Sequence, residues 1–366
     1  MIVDRIETFR RGPLLVVRVT TEDGDVGVGQ AAPYEAGLTA AVLHGFVARG
    51  FLGREAWDAE ALVDAFLLQS YKFPSSFVLR AVGGIETALW DLMARRAGQP
   101  VWRLLGGAAR DRVPVYASSM LRSITPEAEA ERIAALAAEQ GFRAAKIRVG
   151  EAMGRDTDAA PGRTAAIIPL MRRELGDDFA LSADANGGYT AAEAIRVGRR
   201  LEEHGYFHFE EPCPFPDLDA TAAVAHALDI PVSGGEQDTV LPQFVRMVTT
   251  RAVDIVQPDI GYLGGVSRAR KVAVLAEAAG IPCTPHCANA SLLRVFTLHL
   301  ALAMPACFQP QEWSIEDEPW ARGVCSTMPQ VVDGEVAAPL EPGWGIELEP
   351  AFLAAAEREE SRRRVA

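Results

Sequence analysis

The chain has 366 residues, of which 49% are hydrophobic and 23% charged, and its formal net charge is −13. This composition is typical of a globular protein, and the length predicts two domains. The negative charge argues against a nucleic acid or an anionic membrane as partner, since no broad positive field is available to attract phosphates.

The five cysteines are odd in number and show no zinc-type spacing, which indicates reduced thiols in a cytoplasmic protein. The first residues lack the basic and apolar regions of a signal peptide. No run of 18 apolar residues occurs, so we expect no membrane span.

The first 113 residues are predicted to form an α+β domain. Alternating apolar residues predict strands before about residue 30, with breaks at residues 10–13 and a hairpin turn at 22–25. Helical periodicity then predicts three helices, at about 37–50, 57–70 and 78–97.

Short strand-like runs recur from Val115 onward, with alanine-rich amphipathic helices between them. The eight runs lie at 115–118, 144–149, 179–185, 206–212, 231–236, 254–259, 282–286 and 309–313. Eight alternating strand and helix units predict a parallel barrel, here over residues 114–325. The loop-rich residues 326–366 are expected to pack back on the first domain.

Three acidic residues end successive predicted strands. Asp184, Glu210 and Glu236 follow one another at intervals of 26 residues. Because the C-terminal ends of barrel strands share one face, their carboxylates should converge there. Hard oxygen ligands of this kind suit Mg²⁺, which keeps its other positions for water or substrate. One such acid would ordinarily face solvent, but three in equal register predict a metal site.

Other predicted strand ends carry further reactive side chains. Lys146 and Arg148 alternate along one strand, so their side chains share a face. The remaining strand-end groups are Asn186, Asp259, His286 and Glu312.

In its motifs and their order the chain resembles the enolase superfamily, in particular the mandelate racemase group of acid-sugar dehydratases and racemases. The similarity covers nearly the whole chain. It rests on a Gly-Ile-Glu-Thr-Ala-Leu-Trp-Asp-Leu run from Gly84, Leu104-Leu105-Gly106-Gly107, Lys146-x-Arg148, Asp184-x-Asn186, Glu210-Glu211-Pro212, Gly235-Glu236, Pro258-Asp259, Gly264-Gly265-Val266, His286, Asp333-Gly334 and Pro342-Gly343.

The resemblance implies an α/β fold, a modified (β/α)7β TIM-type barrel with an α+β capping domain formed from both termini. It also implies Mg²⁺-dependent abstraction of the proton next to a carboxylate, giving a metal-stabilised enediolate. Enolase-superfamily sites generally use a lysine or histidine base together with Mg²⁺.

His286 is the expected base. Asp259 lies 27 residues earlier, at the end of the adjacent predicted strand. By accepting a hydrogen bond from one imidazole nitrogen, Asp259 would raise the basicity of the other. Lys146 either becomes a second base, if Arg148 and Mg²⁺ lower its pKa, or contributes only positive charge.

Arg148 stands where the resembled racemases have a second lysine that acts as a base. A guanidinium stays protonated, so Arg148 is expected to bind substrate oxygens or to pair with a ligand carboxylate. The lysine that other branches of the superfamily place on strand six is missing beside Asp259.

Three further residues have expected roles. The resemblance implies that Glu312 matches an eighth-strand acid that, when protonated, donates to the substrate carboxylate; the alternative is a surface glutamate. Asn186 is expected to support the metal or the substrate, or else to cap a turn. Tyr34 lies in a Gly/Pro loop that either forms a lid over the substrate or has no special role.

Dehydration of an acid sugar to a 2-keto-3-deoxy acid needs one good base, and Arg148 therefore favours a dehydratase. A racemase or epimerase needs two bases and would require Lys146 as the second. A third alternative, from another class, is a barrel that binds metal and ligand without turnover. The expected partner is a small acid-sugar carboxylate, and the resemblance suggests a homo-oligomer.

Overall fold

The computed structural model describes residues 1–363, which form a capping domain and a barrel. The strands of the capping domain are β1 (Val3–Arg11), β2 (Leu14–Thr21), β3 (Val26–Ala31) and β13 (Glu357–Arg362), in the antiparallel order β13-β1-β2-β3. The last strand of the chain thus pairs with the first. Both ends of the chain contribute to the capping domain, as the resemblance implied.

Four helices complete this part of the chain: α1 (Ala36–Val42), α2 (Ala59–Gln69), α3 (Ser76–Arg96) and α4 (Val101–Leu104). The hydroxyl of Ser75 begins α3 by accepting from the Val78 N–H. β3 lies directly on α3 because Gly27 has no side chain: a Cβ there would be 2.1 Å from the Ala88 carbonyl oxygen. The sheet and α3 therefore bury a common core.

The barrel begins with β4 (Arg112–Ser118) and runs through seven strand and helix units before a final strand. Its other strands are β5 (Ala144–Arg148), β6 (Ala180–Asp184), β7 (His208–Glu210), β8 (Val232–Gly234), β9 (Ile255–Val256) and β10 (Gln311–Ser314). From β4 to β9 each strand pairs in parallel with the next in chain order, and β10 pairs in parallel with β4 on its other side. The predicted (β/α)7β barrel is confirmed.

The helices outside the strands are α5 (Pro126–Gln140), α6 (Arg163–Leu175), α7 (Ala191–Glu203), α8 (Leu218–Ala227), α9 (Leu241–Thr249), α10 (Ile260–Leu263), α11 (Val266–Ala279) and α12 (Leu292–Ala303). None of the helices in residues 1–363 is long and apolar enough to cross a membrane.

The predicted seventh barrel strand, residues 282–286, is present only as single bridges. Cys283 pairs with Val256, and His286 pairs with Asp259, both in parallel. Pro282 and Pro285 have no N–H to donate, so a continuous ladder cannot form here. The bridge at His286 still places its side chain beside Asp259.

Residues 326–363, expected to pack on the capping domain, divide between the two domains. β11 (Val331–Val332) and β12 (Glu335–Ala337) form a hairpin that pairs with the start of β4. After α13 (Pro350–Ala355), β13 returns to the capping sheet. The predicted boundaries near residues 113 and 325 stay predictions.

Two buried polar side chains join the capping domain to the barrel. Glu86 of α3 accepts hydrogen bonds from the backbone N–H groups of Val266 and Ser267, where α11 begins. Gln30 of β3 contacts Ser291 and the N–H of Leu292, where α12 begins. These contacts fix the capping domain over the C-terminal ends of the barrel strands.

Candidate active site

Three carboxylates meet at the C-terminal ends of the barrel strands. Asp184 ends β6 and Glu210 ends β7, and the two residues are paired across the parallel ladder. Glu236 follows the next strand by two residues. One oxygen from each carboxylate lies within 4.8 Å of the others, and all three side chains are buried. The strands have thus brought together the three predicted metal ligands.

The cluster fits a divalent cation. Burial, opposed by Arg148 and reinforced by Glu210, raises the pKa of Asp184 above its usual range. Burial raises the pKa of Glu236 to about 7, and its Oε2 atom is buried without a hydrogen-bond partner. A bound cation would complete this set, because three hard oxygen donors with an unsatisfied atom form a site for Mg²⁺.

Lys146 lies beneath the cluster and is surrounded by carboxylates. Its Nζ pairs with Glu210 and lies 2.8 Å from Glu312 and 3.5 Å from Asp184. Burial alone would lower the pKa of Lys146, but Glu210 and Glu312 hold it well above its usual range. The expectation that Arg148 and Mg²⁺ together lower this pKa and make Lys146 a base stays a prediction.

Arg148 pairs with one of the three carboxylates. Its Nη1 contacts Asp184 and donates to Asn186 Oδ1 at 2.8 Å, while its Nε donates to the Ser119 carbonyl. Burial opposes its charge, yet Asp184 and Glu210 raise the pKa of Arg148 further, so it stays protonated. Two roles were expected for Arg148, substrate binding or pairing with a ligand carboxylate. The structure shows the second contact, with Asp184.

Asn186 uses its whole amide within the protein. Its Oδ1 accepts from Arg148 and, at 3.0 Å, from Arg122. Its Nδ2 donates to Asp184 Oδ2 at 3.3 Å and to Glu211 Oε2 at 3.4 Å. Both Asn186 and Glu211 have left-handed backbone conformations, with φ of 42° and 40°. Such conformations persist where the surrounding structure holds them, and they occur often at functional sites.

His286 and Asp259 form the predicted pair. His286 Nδ1 lies 2.7 Å from Asp259 Oδ2, and the other Asp259 oxygen accepts from the Tyr262 N–H at 2.8 Å. The other ring nitrogen of His286, Nε2, faces the cluster of three carboxylates and lies 3.4 Å from Glu236 Oε2. Burial opposes protonation, but Glu236 and Glu312 hold the pKa of His286 well above its usual range.

Glu312 lies on β10 and contacts both Lys146 and His286. Its oxygens accept from Ser118 Oγ and from the Cys287 N–H, each at 2.8 Å, and pair with Lys146. Burial would raise the pKa of Glu312, but Lys146 and His286 lower it to about 2. Its role as an acid toward a substrate carboxylate stays a prediction.

Tyr34 lies apart from these groups. Its side chain is 53% exposed, and its ring lies edge-on to Trp320 with 6.2 Å between centroids. The loop that carries it is held by the Arg80 side chain, which donates to the Pro33 carbonyl. Its contact with a substrate stays a prediction.

Sequence reasoning did not single out three residues of the site. Gln257 donates to Glu210 Oε2 at 2.8 Å, Glu211 adds another buried carboxylate, and Arg122 contacts Asn186. The rule that functional side chains lie at the C-terminal ends of barrel strands (the strand-end rule) could have identified Gln257 and Glu211, since each adjoins a motif already recognised. Arg122 lies in a loop that no periodic pattern marks.

Comparisons with known proteins agree with this geometry. Residues 3–106 match the model of the mandelate racemase / muconate lactonizing enzyme N-terminal domain, and residues 128–352 match the enolase C-terminal domain-like model. Together the two matches cover most of the chain.

Three curated relatives are similar over most of their own lengths. An arabinonate dehydratase from Saccharolobus solfataricus is 30% identical, over 80% of this chain and 77% of the relative. A D-galactarolactone cycloisomerase from Agrobacterium fabrum is 31% identical, over 93% and 90%. An L-talarate/galactarate dehydratase from Salmonella typhimurium is 29% identical, over 91% and 81%.

Two solved structures share the fold of the whole chain. A candidate racemase from Roseobacter denitrificans is 48% identical with a TM-score of 0.97, over 99% of this chain and all of the other. A mandelate racemase/muconate lactonizing protein from Paracoccus denitrificans, complexed with magnesium, is 32% identical with a TM-score of 0.90, over 99% and 98%.

Proposed function

The chain belongs to the mandelate racemase / muconate lactonizing enzyme family of the enolase superfamily, and we propose that it dehydrates an acid sugar to a 2-keto-3-deoxy acid. The observation that carries this proposal is the position of one base beside the three carboxylates. His286 Nε2 lies 3.4 Å from Glu236, and its other nitrogen is held by Asp259. Lys146 and Arg148, on β5, both form ion pairs with carboxylates of the cluster.

Asp184, Glu210 and Glu236 would hold Mg²⁺, which supplies a Lewis acid for the charge that develops when the proton next to a carboxylate leaves. Its fit rests on the buried donor set and on the unpartnered oxygen of Glu236. Lys146 lies directly beneath two of these carboxylates and contributes further positive charge there.

His286 would remove the C2 proton through Nε2 while Asp259 holds Nδ1–H and stabilises the imidazolium that forms. His286 must first be neutral. The carboxylate of Glu236 raises the pKa of His286. A positive charge that offsets Glu236 would therefore lower the pKa of His286 toward neutral pH.

The imidazolium can then return the same proton to the C3 hydroxyl, which leaves as water. The substrate loses one proton from C2 and one hydroxide from C3, and the enol that remains becomes the 2-keto acid. One residue can thus serve as both base and acid when the proton and the hydroxyl leave from the same face.

A racemase or epimerase is the second candidate, favoured by the similarity to the Roseobacter denitrificans protein. It would need a base on the opposite face that gives up its proton. Lys146 is the available group, but its ion pairs with Glu210 and Glu312 stabilise the protonated form. This argues for elimination.

A library of acid sugars incubated with the protein and Mg²⁺ tests the proposal. We expect one or more members to give a 2-keto-3-deoxy product. Inversion at C2 without loss of water would identify a racemase instead. Binding of substrate and metal with no reaction across the library would favour the third alternative, a barrel without turnover.

A further inference from the structure

Arg122 is a partly buried cation at the edge of the site without a carboxylate partner. It lies in the loop after β4, where its Nε donates to the Gly150 carbonyl and its Nη2 to Asn186 Oδ1, each at 3.0 Å. Within residues 1–363 no carboxylate oxygen lies within 4.0 Å of it. A guanidinium has five N–H donors, and these two hydrogen bonds use one on Nε and one on Nη2, so three donors have no partner among residues 1–363.

This arrangement differs from that of the neighbouring arginines. Arg148 is neutralised by Asp184, and Arg163 donates to three backbone carbonyls that hold the loop in place. Burial, together with repulsion from Arg148, lowers the pKa of Arg122, while Asp184 opposes the shift. Withdrawing a guanidinium from water without an ion pair is costly, and an anion bound at its free donors would offset that cost.

Asn186 lies between Arg122 and the cluster of three carboxylates. Its side-chain amide has no free donor or acceptor for a ligand. Arg148 and Arg122 occupy its oxygen, and Asp184 and Glu211 occupy its nitrogen. Asn186 is thus a positioning residue in this structure. Arg122 lies behind Asn186 as seen from the three carboxylates. It is the residue on this side of the site that still has N–H groups without a partner.

We propose that Arg122 binds the second carboxylate of a dicarboxylic acid sugar whose first carboxylate lies at the metal cluster. This rests on the proposed function. Nη1 and the second N–H of Nη2 can donate to the two oxygens of a carboxylate, which a hydroxyl group cannot satisfy as well. The substrate class is then a dicarboxylate rather than a monocarboxylate.

The test compares matched acids that differ only at the far end: galactarate with galactonate, and glucarate with gluconate. We expect wild-type kcat/KM to be higher for the dicarboxylates. Arg122→Gln should lower kcat/KM for the preferred dicarboxylate by about 30-fold or more, the loss that follows truncation of one member of a buried charge pair. For the monocarboxylate the loss should be small. Arg122→Lys should recover part of the rate.

Arg196→Gln is the matched control, because Arg196 is an exposed arginine paired with Glu193 and remote from the cluster. It should leave all four acids unaffected. Calorimetry provides a readout independent of turnover: with Mg²⁺ present, glutarate should bind more tightly than butyrate, and Arg122→Gln should remove the difference.

Failure of the inference differs from failure of the proposed function. If no acid sugar is dehydrated, the proposed function is wrong, and calorimetry still tests the role of Arg122. If monocarboxylates are preferred, or if Arg122→Gln weakens both classes equally, Arg122 does not bind a second carboxylate. A folded Arg122→Gln variant that only loses Mg²⁺ affinity would also overturn the inference, since Arg122 would then act through Asn186.

Discussion

At the scale of single residues, His299 shows how burial fixes a protonation state outside the active site. Its Nδ1 accepts from the Trp102 N–H at 3.1 Å, and its Nε2 therefore donates to the Trp344 carbonyl at 3.2 Å. The ring is neutral, because a proton on Nδ1 would face the Trp102 N–H. Burial lowers the pKa of His299 to about 3.

His299 should make the fold sensitive to mild acid. The folded pKa lies below the ordinary value of about 6.5, so the unfolded chain binds the extra proton between those values. The stabilisation is present above about pH 6.5 and is lost as the pH falls toward about 3, by at most about 5 kcal/mol. Thermal unfolding of His299→Gln, which retains a donor and an acceptor, should decline less steeply from pH 7 to pH 4.5 than wild type. Equal slopes would contradict this.

The residues of the site could be predicted in part. The strand-end rule predicted the edge on which Asp184, Glu210 and Glu236 lie, because a parallel barrel aligns the ends of its strands. It did not predict that Lys146 pairs with both Glu210 and Glu312. Those contacts depend on distances across the barrel, which sequence spacing does not give.

At the scale of elements, α3 is tied to α11 by one carboxylate. Glu86 accepts from the N–H groups of Val266 and Ser267, from Ser267 Oγ at 2.5 Å and from Trp90 Nε1 at 2.8 Å. A carboxylate at a helix N-terminus is favourable, since free N–H groups point at it. Burial raises the pKa of Glu86, and these hydrogen bonds oppose the shift.

Glu86→Ala should destabilise the protein by about 3 kcal/mol or more, because several buried donors lose their partner. Glu60→Ala is the control: Glu60 also joins the capping domain to α11, through Lys271 at 3.1 Å, but this pair is exposed. An exposed ion pair contributes about 1 kcal/mol or less. Urea unfolding would measure both, and an equal loss in the two variants would contradict the account.

The lengths of the elements were less predictable than their order. The strand predicted at residues 254–259 is only two residues long, because Pro258 cannot donate to a ladder. The helix predicted at 37–50 is α-helical only to Val42, and a π-helical segment and a 3₁₀ turn continue it to Gly50. Apolar periodicity marks which face is buried, but the hydrogen-bond pattern depends on local backbone groups.

At the scale of the whole molecule, the three ligands come from separate strand ends, so a metal bound there should stabilise the whole fold. Mg²⁺ at 100 times its Kd would add about 2.7 kcal/mol to the free energy of unfolding. Thermal unfolding should therefore shift upward with Mg²⁺, and not with K⁺ at equal ionic strength.

Glu236→Gln should abolish that shift without destabilising the metal-free protein. The pKa of Glu236 is raised to about 7, so its charge is already disfavoured in the folded state and a neutral side chain is tolerated. A full Mg²⁺ shift in this variant would show that the metal binds elsewhere.

The central claim is that His286 removes the proton next to the substrate carboxylate and water is then lost. NMR in D₂O with Mg²⁺ and an accepted acid sugar tests it most directly, for wild type and for His286→Asn. Wild type should give the 2-keto-3-deoxy acid, and the variant should lose about 10²–10⁴-fold or more of that rate while still binding Mg²⁺. A variant that forms product at the wild-type rate, or a wild type that inverts C2 without losing water, would contradict the account.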